Sequence, residues 1–148
     1  MGLFSSKPKK TLFEALNIDL NNLPDETFKI DRIHSDYGKV HHIKLDPENK
    51  YFGIFSWTTV IVFDRPGKNI IFSCMPHEFD KYDLPPLIEK IHSIYGKDDD
   101  GKGIYSRQDS DEIIDEIWLG RSWTDNKYPI PCSIIYDIDQ GLSLTIWT

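Results

Sequence analysis

The stretch YFGIFSWTTVIVFDRPGKNIIFSC, residues 51–74, decides the fold. Tyr51 to Phe63 is rich in β-branched and aromatic residues on both of its alternating faces, which predicts a long strand at the centre of a sheet. Asp64 to Asn69, with Pro66 and Gly67, turns the chain into a further strand from Ile70 to Cys74. Upstream, Phe28 to Ile33 alternates at first and then loses the pattern, and Val40 to Leu45 alternates cleanly after the turn Asp36 to Lys39. With a second turn at Asp46 to Lys50, four strands follow one another through short polar turns. An antiparallel meander is the economical arrangement.

Beyond Cys74 the apolar period changes from two to that of a helix. Leu84, Leu87, Ile88, Ile91, Ile94 and Tyr95 recur at helical spacing, with Asp83 as N-cap, Pro85 and Pro86 in the first turn, and Gly96 at the end. Asp109 and Glu112 open a second stripe of Ile113, Ile114, Ile117 and Trp118, closed by Gly120. Cys132 to Ile138 and Leu142 to Trp147 flank Asp139-Gln140-Gly141 and predict a C-terminal hairpin. Near the start, Thr11 and Glu14 have the spacing of a capping box ahead of Leu12, Ala15 and Leu16. The expected fold is therefore α+β: an N-terminal helix, a four-strand meander, two helices and a hairpin, giving a mainly antiparallel sheet of about six strands with helices on one face. Residues 1–10 read as a flexible basic tail, and 11–148 as one domain.

The chain has 148 residues, 39% of them apolar, enough for one core without staples. Cys74 and Cys132 read as small buried side chains, not as a disulfide or redox pair. No apolar run approaches the roughly 20 residues of a bilayer-spanning helix. Met1 to Ser5 lacks the features of a secretory signal, so a soluble, cytoplasmic protein is expected. Met1-Gly2-x-x-x-Ser6 fits an acylation pattern at Gly2, and Lys7, Lys9 and Lys10 supply the basic partner of such an anchor.

Charge is concentrated. Asp98, Asp99, Asp100, Asp109, Asp111, Glu112, Asp115 and Glu116 face only Lys102 and Arg107 within residues 98–116, and account for nearly all of the net charge of −7. Such a surface argues against nucleic-acid binding, which needs clustered cations. Calcium is a poor fit: with Asp98 at the first position of a binding loop, Lys102 falls where an oxygen ligand belongs. Cys74, His77, Glu78 and Asp80, with His41 and His42, lack the paired spacing of a zinc site. No nucleophile elbow, phosphate loop or dinucleotide fingerprint is present, and no metal or cofactor is expected.

Trp118-Leu119-Gly120-Arg121-Ser122-Trp123 follows the acidic helix and brings residue types that dominate binding hot spots. The sequence accordingly predicts a non-enzymatic binding protein, inhibitor- or immunity-like in size and charge, that engages a basic protein partner through Asp109, Asp111, Asp115, Glu116, Arg121 and Trp123. Trp118, continuing the helix's apolar stripe, is expected in the core. The alternative is a small-molecule-binding domain or enzyme with a pocket between sheet and helices, using His42, His77 or Glu78.

Overall fold

The computed structural model describes residues 11–18, 27–34, 38–45, 51–62, 68–78 and 81–148. The tail of residues 1–10, the turn residues 46–50 and Asp80 lie outside the described residues. Among the described residues seven strands form one antiparallel sheet: β1 (Thr27–His34), β2 (Gly38–Lys44), β3 (Trp57–Val62), β4 (Lys68–Cys74), β5 (Gly120–Trp123), β6 (Cys132–Asp137) and β7 (Gly141–Trp147). Their order is β1-β2-β3-β4-β7-β6-β5. The meander is present, and the C-terminal hairpin joins it by pairing β7 with β4. In β1 the pairing register shifts between Phe28 and Arg32. That irregularity lies where the sequence loses its alternation: four steps along β1 are matched by two along β2, so the first strand carries extra residues there.

Two expectations need correction. The run from Tyr51 is not one strand, because Phe52 (φ 59°) and Gly53 (φ 70°) are left-handed and fold it back on itself. Tyr51 bridges to Phe55, the Tyr51 carbonyl accepts from the amides of Ile54 and Phe55, and the strand begins only at Trp57. The aromatic residues thus spared from the sheet cap its core, with the Tyr51 ring 4.9 Å from that of Phe72. The middle position of the sheet then belongs to β4.

Strand alternation explains the core. Registers Phe72↔Leu144 and Ile134↔Leu144 align Ile70, Phe72 and Cys74 with Leu142, Leu144 and Ile146 and with Cys132 and Ile134 on one face. All eight are buried in a single cluster with Leu12 and Leu16 of α1 (Leu12–Leu16) and Leu84, Leu87, Ile88 and Ile91 of α2 (Leu84–Tyr95). The spacing 84, 87, 88, 91 presents one helical stripe to the sheet, each side chain contributing about 1.5–3 kcal/mol by leaving water. Helix α1 carries its capping box between Thr11 and Glu14 and stops at Asn17, whose left-handed φ of 54° ends it. Gly96 (φ 73°) ends α2, but Asp83 makes no capping bond with its side chain, because a 3-10 turn, Lys81–Asp83, runs directly into the helix.

The third helix, α3 (Arg107–Ile114), begins two residues before Asp109. Ser106 is its N-cap, and Asp109 occupies the third helical position of a capping box. It stops at Ile114, short of Gly120, and Glu116 follows in a left-handed turn (φ 59°). Residues 115–119 form the connection after this early stop, and Gly120, expected to close the helix, instead opens β5, an edge strand the sequence pattern did not reveal.

Candidate partner-binding surface

The acidic segment between α2 and β5 is built by its own carboxylates. Asp98 Oδ1 accepts from the amides of Asp100 (3.0 Å) and Lys102 (2.7 Å), closing a tight turn. The Asp99 amide donates to the Ser122 carbonyl of β5 (2.8 Å). The Asp99 carboxylate accepts from the amide and hydroxyl of Thr124 (2.9 and 2.7 Å). The loop therefore satisfies part of the open edge of β5, a position that would otherwise invite pairing with another chain.

Beneath the loop lies a buried ion network. Arg121 Nε and Nη2 donate to the two oxygens of Asp109 (3.1 and 2.8 Å), Nη1 to Asp98 Oδ2 (3.2 Å), and the remaining N–H groups to the carbonyls of Gly103 (2.8 Å) and Ile104 (3.3 Å). All five guanidinium donors are thus matched, the condition under which a buried charge is tolerable. Trp118 Nε1 adds a bond to Asp109 Oδ1 (3.1 Å), and the Ser106 amide another to Oδ2 (2.9 Å). Burial pushes the Asp109 carboxyl up, but the bonds from Arg121, Ser106 and Trp118 outweigh it and hold the pKa at about 2. Burial works against the Arg121 charge as well, and Asp109 and Asp98 raise its pKa in spite of it.

The six expected site residues separate into two groups. Asp109, Arg121 and Trp123 are in the interior, with Trp123 Nε1 bonded to the Gly96 carbonyl (3.1 Å). They form no solvent-facing patch: Arg121↔Ile134 and Trp123↔Cys132 pairing directs both side chains to the inner face of the sheet. Asp111, Asp115 and Glu116 are exposed. Asp111 lies 3.8 Å from Arg107 in a pair that solvent leaves weak.

Sequence reasoning missed the apolar residues beside them. Trp118 is 2% exposed, anchored to Asp109, and its neighbours on either side face away from the interior it fills. Ile117 is 63% and Leu119 83% exposed, with Ile114 at 63%. The expected stripe of Ile114 and Ile117 on the sheet is thereby corrected, although Trp118 is in the core as expected. On a continuing helix Ile113, Ile114, Ile117 and Trp118 share one stripe and only Leu119 falls off it, so the local sequence carries no signal that Ile114 and Ile117 are exposed.

Other candidate chemistry falls elsewhere. Among the described residues no group of three or more His, Cys, Asp or Glu side chains is placed to hold a metal ion. Asp98 is committed to Arg121 and to its own turn; Cys74 is buried, whereas His77 is exposed. Burial, with Asp99 nearby, pushes the Cys132 thiol up to about 12, so it is inert as a nucleophile. An apolar groove of about 420 Å3 lies between α1, the end of α2 and residues 127–130, lined by Leu12, Ile94, Tyr95, Lys127, Tyr128 and Ile130. It is remote in the fold from His77 and Glu78, which follow β4 in the 3-10 turn Pro76–Glu78. No helix among the described residues is long and apolar enough to cross a membrane.

Comparison with protein families, with characterised proteins and with solved structures finds no match.

Proposed function

We propose that this protein is a non-enzymatic binding protein that holds a basic protein partner against the acidic shoulder of Asp111, Asp115 and Glu116. The observation that supports this reading is the division among the carboxylates. Asp98, Asp99 and Asp109 are occupied by internal hydrogen bonds, whereas these three face solvent on the loop-and-helix unit that those bonds hold rigid. A fixed acidic field steers a cationic partner and loses little entropy when it docks. Arg121, Trp123 and Asp109 take part as the support under that surface.

The test is capture from extracts of the source cells with the wild-type protein and with the variant D111N/D115N/E116Q. A basic protein enriched by the wild type and lost with the variant is the expected result. Equal recovery by both, or recovery of no partner, sinks the reading. Asp109 is left intact, since its neutralisation disturbs the fold and not only the surface charge.

A second reading is favoured by the groove of Leu12, Ile94, Tyr95, Tyr128 and Ile130, whose apolar lining and Lys127 rim suit a small ligand with an apolar body and an anionic head. Ligand-observed NMR with aromatic and aliphatic carboxylates addresses it. Saturable binding abolished by Ile130→Arg supports a ligand site there, and its absence removes it.

A further inference from the structure

The acidic shoulder is not purely acidic. Ile114, Ile117 and Leu119 stand out among the carboxylates Asp111, Asp115 and Glu116, and their exposure is imposed by the fold. Ile117 and Trp118 both donate their amides to the Glu112 carbonyl (2.9 and 3.1 Å), and Trp118 is pinned inside by Asp109. With Trp118 directed inward, the residues on either side are directed outward. Three large aliphatic side chains within six positions stand exposed on this shoulder, and exposed apolar side chains grouped in this way mark interaction sites.

We propose that this ridge receives a basic amphipathic helix of the partner, its apolar side chains seated on Ile114, Ile117 and Leu119 and its lysines or arginines on Asp111, Asp115 and Glu116. The inference rests on the reading of a basic partner and adds the chemistry of the docking segment. Charge complementarity selects this occupant. An anionic lipid surface meets the same three carboxylates as repulsion, and a second copy of the chain brings its own acidic shoulder to the contact. An amphipathic helix presents apolar anchors at three- and four-residue spacing with cations beside them, which matches aliphatic side chains set among carboxylates.

Two synthetic peptides of equal length and charge provide the test by isothermal titration calorimetry against the full chain. One is a lysine-rich helix with leucines at positions i, i+3, i+4 and i+7; in the other those leucines are serines. The first peptide is expected to bind the wild-type protein at least tenfold more tightly, and Ile117→Ser with Leu119→Ser to abolish that advantage. Weak, salt-sensitive binding of the serine peptide should persist in I117S/L119S and vanish in D111N/D115N/E116Q. Equal affinity of the two peptides, or an advantage undiminished in I117S/L119S, overturns the proposal while leaving the basic-partner reading intact. No binding of either peptide counts against both. Stronger co-sedimentation with anionic phosphatidylserine vesicles than binding to the leucine peptide also overturns it. Native-like circular dichroism and unfolding midpoints of the variants show that the losses are local, and these surface positions make that the expected finding.

Discussion

Arg121 carries a positive charge 3% exposed to solvent, between carboxylates that are each 2% exposed. Such a group is tolerated only when every donor is met, so removing a partner costs far more than the intact network contributes. Asp109→Ala is expected to lower unfolding free energy by about 3–5 kcal/mol in urea titrations. The triple variant D98N/D109L/R121M should lose less than D109A, because it leaves neither an unmatched guanidinium nor an unpaired buried carboxylate at Asp98; a larger loss would show that the network itself supplies net stability. The pH dependence follows from the same residue. Asp109 has a folded pKa of about 2 against 3.8 ordinarily, so its contribution of roughly 2 kcal/mol is complete above the ordinary value and is lost as pH falls through 2. Between pH 6 and pH 2 the wild-type protein should lose this increment, and D109N, destabilised at the outset, should show a shallower decline. Parallel declines in the two proteins would place the acid sensitivity elsewhere.

At the level of elements, β5 is the least self-sufficient part of the sheet, since it has four residues and lies at an edge. Gly120 starts it at φ 116°, and a Cβ there would overlap the Ile134 carbonyl oxygen of β6. Gly120→Ala should therefore detach the strand, with hydrogen exchange faster at residues 120–123 and α3 loosened through Arg121, at a cost of about 2–4 kcal/mol. Unchanged protection of β5 would contradict this. Much of the rest of the architecture was legible because its signals are local. Thr11 and Glu14 mark a capping box, residues 84, 87, 88 and 91 mark a helical stripe, and Asp139-Gln140-Gly141 marks a hairpin. The misreadings occur where distant contacts decide. Nothing near Trp118 in sequence reveals that its indole reaches back nine positions to Asp109 and stops the helical pattern at Ile114. Phe52 and Gly53 break an otherwise persuasive strand through their backbone angles alone. The site was half legible for the same reason: acidic density is visible in composition, but which carboxylates are turned inward depends on Arg121, which lies beyond the helix.

Across the whole molecule, the net charge of −7 is unevenly used. Internal bonding by Asp98, Asp99 and Asp109 converts part of an acidic sequence into a rigid loop, and the remaining carboxylates give that loop an outward field. A partner held by such a field should associate quickly at low salt and lose affinity as salt rises, because exposed charges more than about 10 Å apart are largely screened at 0.1 M and that distance shrinks as salt is added. Three exposed contacts at 0.2–1 kcal/mol each amount to roughly a 3- to 150-fold change in affinity. The decisive measurement is the dissociation constant of the captured basic partner for wild-type protein and for D111N/D115N/E116Q, followed from 50 to 300 mM salt. The expected result is weaker binding by the variant at low salt, with a flatter salt dependence and convergence of the two curves at high salt. Superimposable curves at every salt concentration would contradict the assignment of the acidic shoulder as the binding surface.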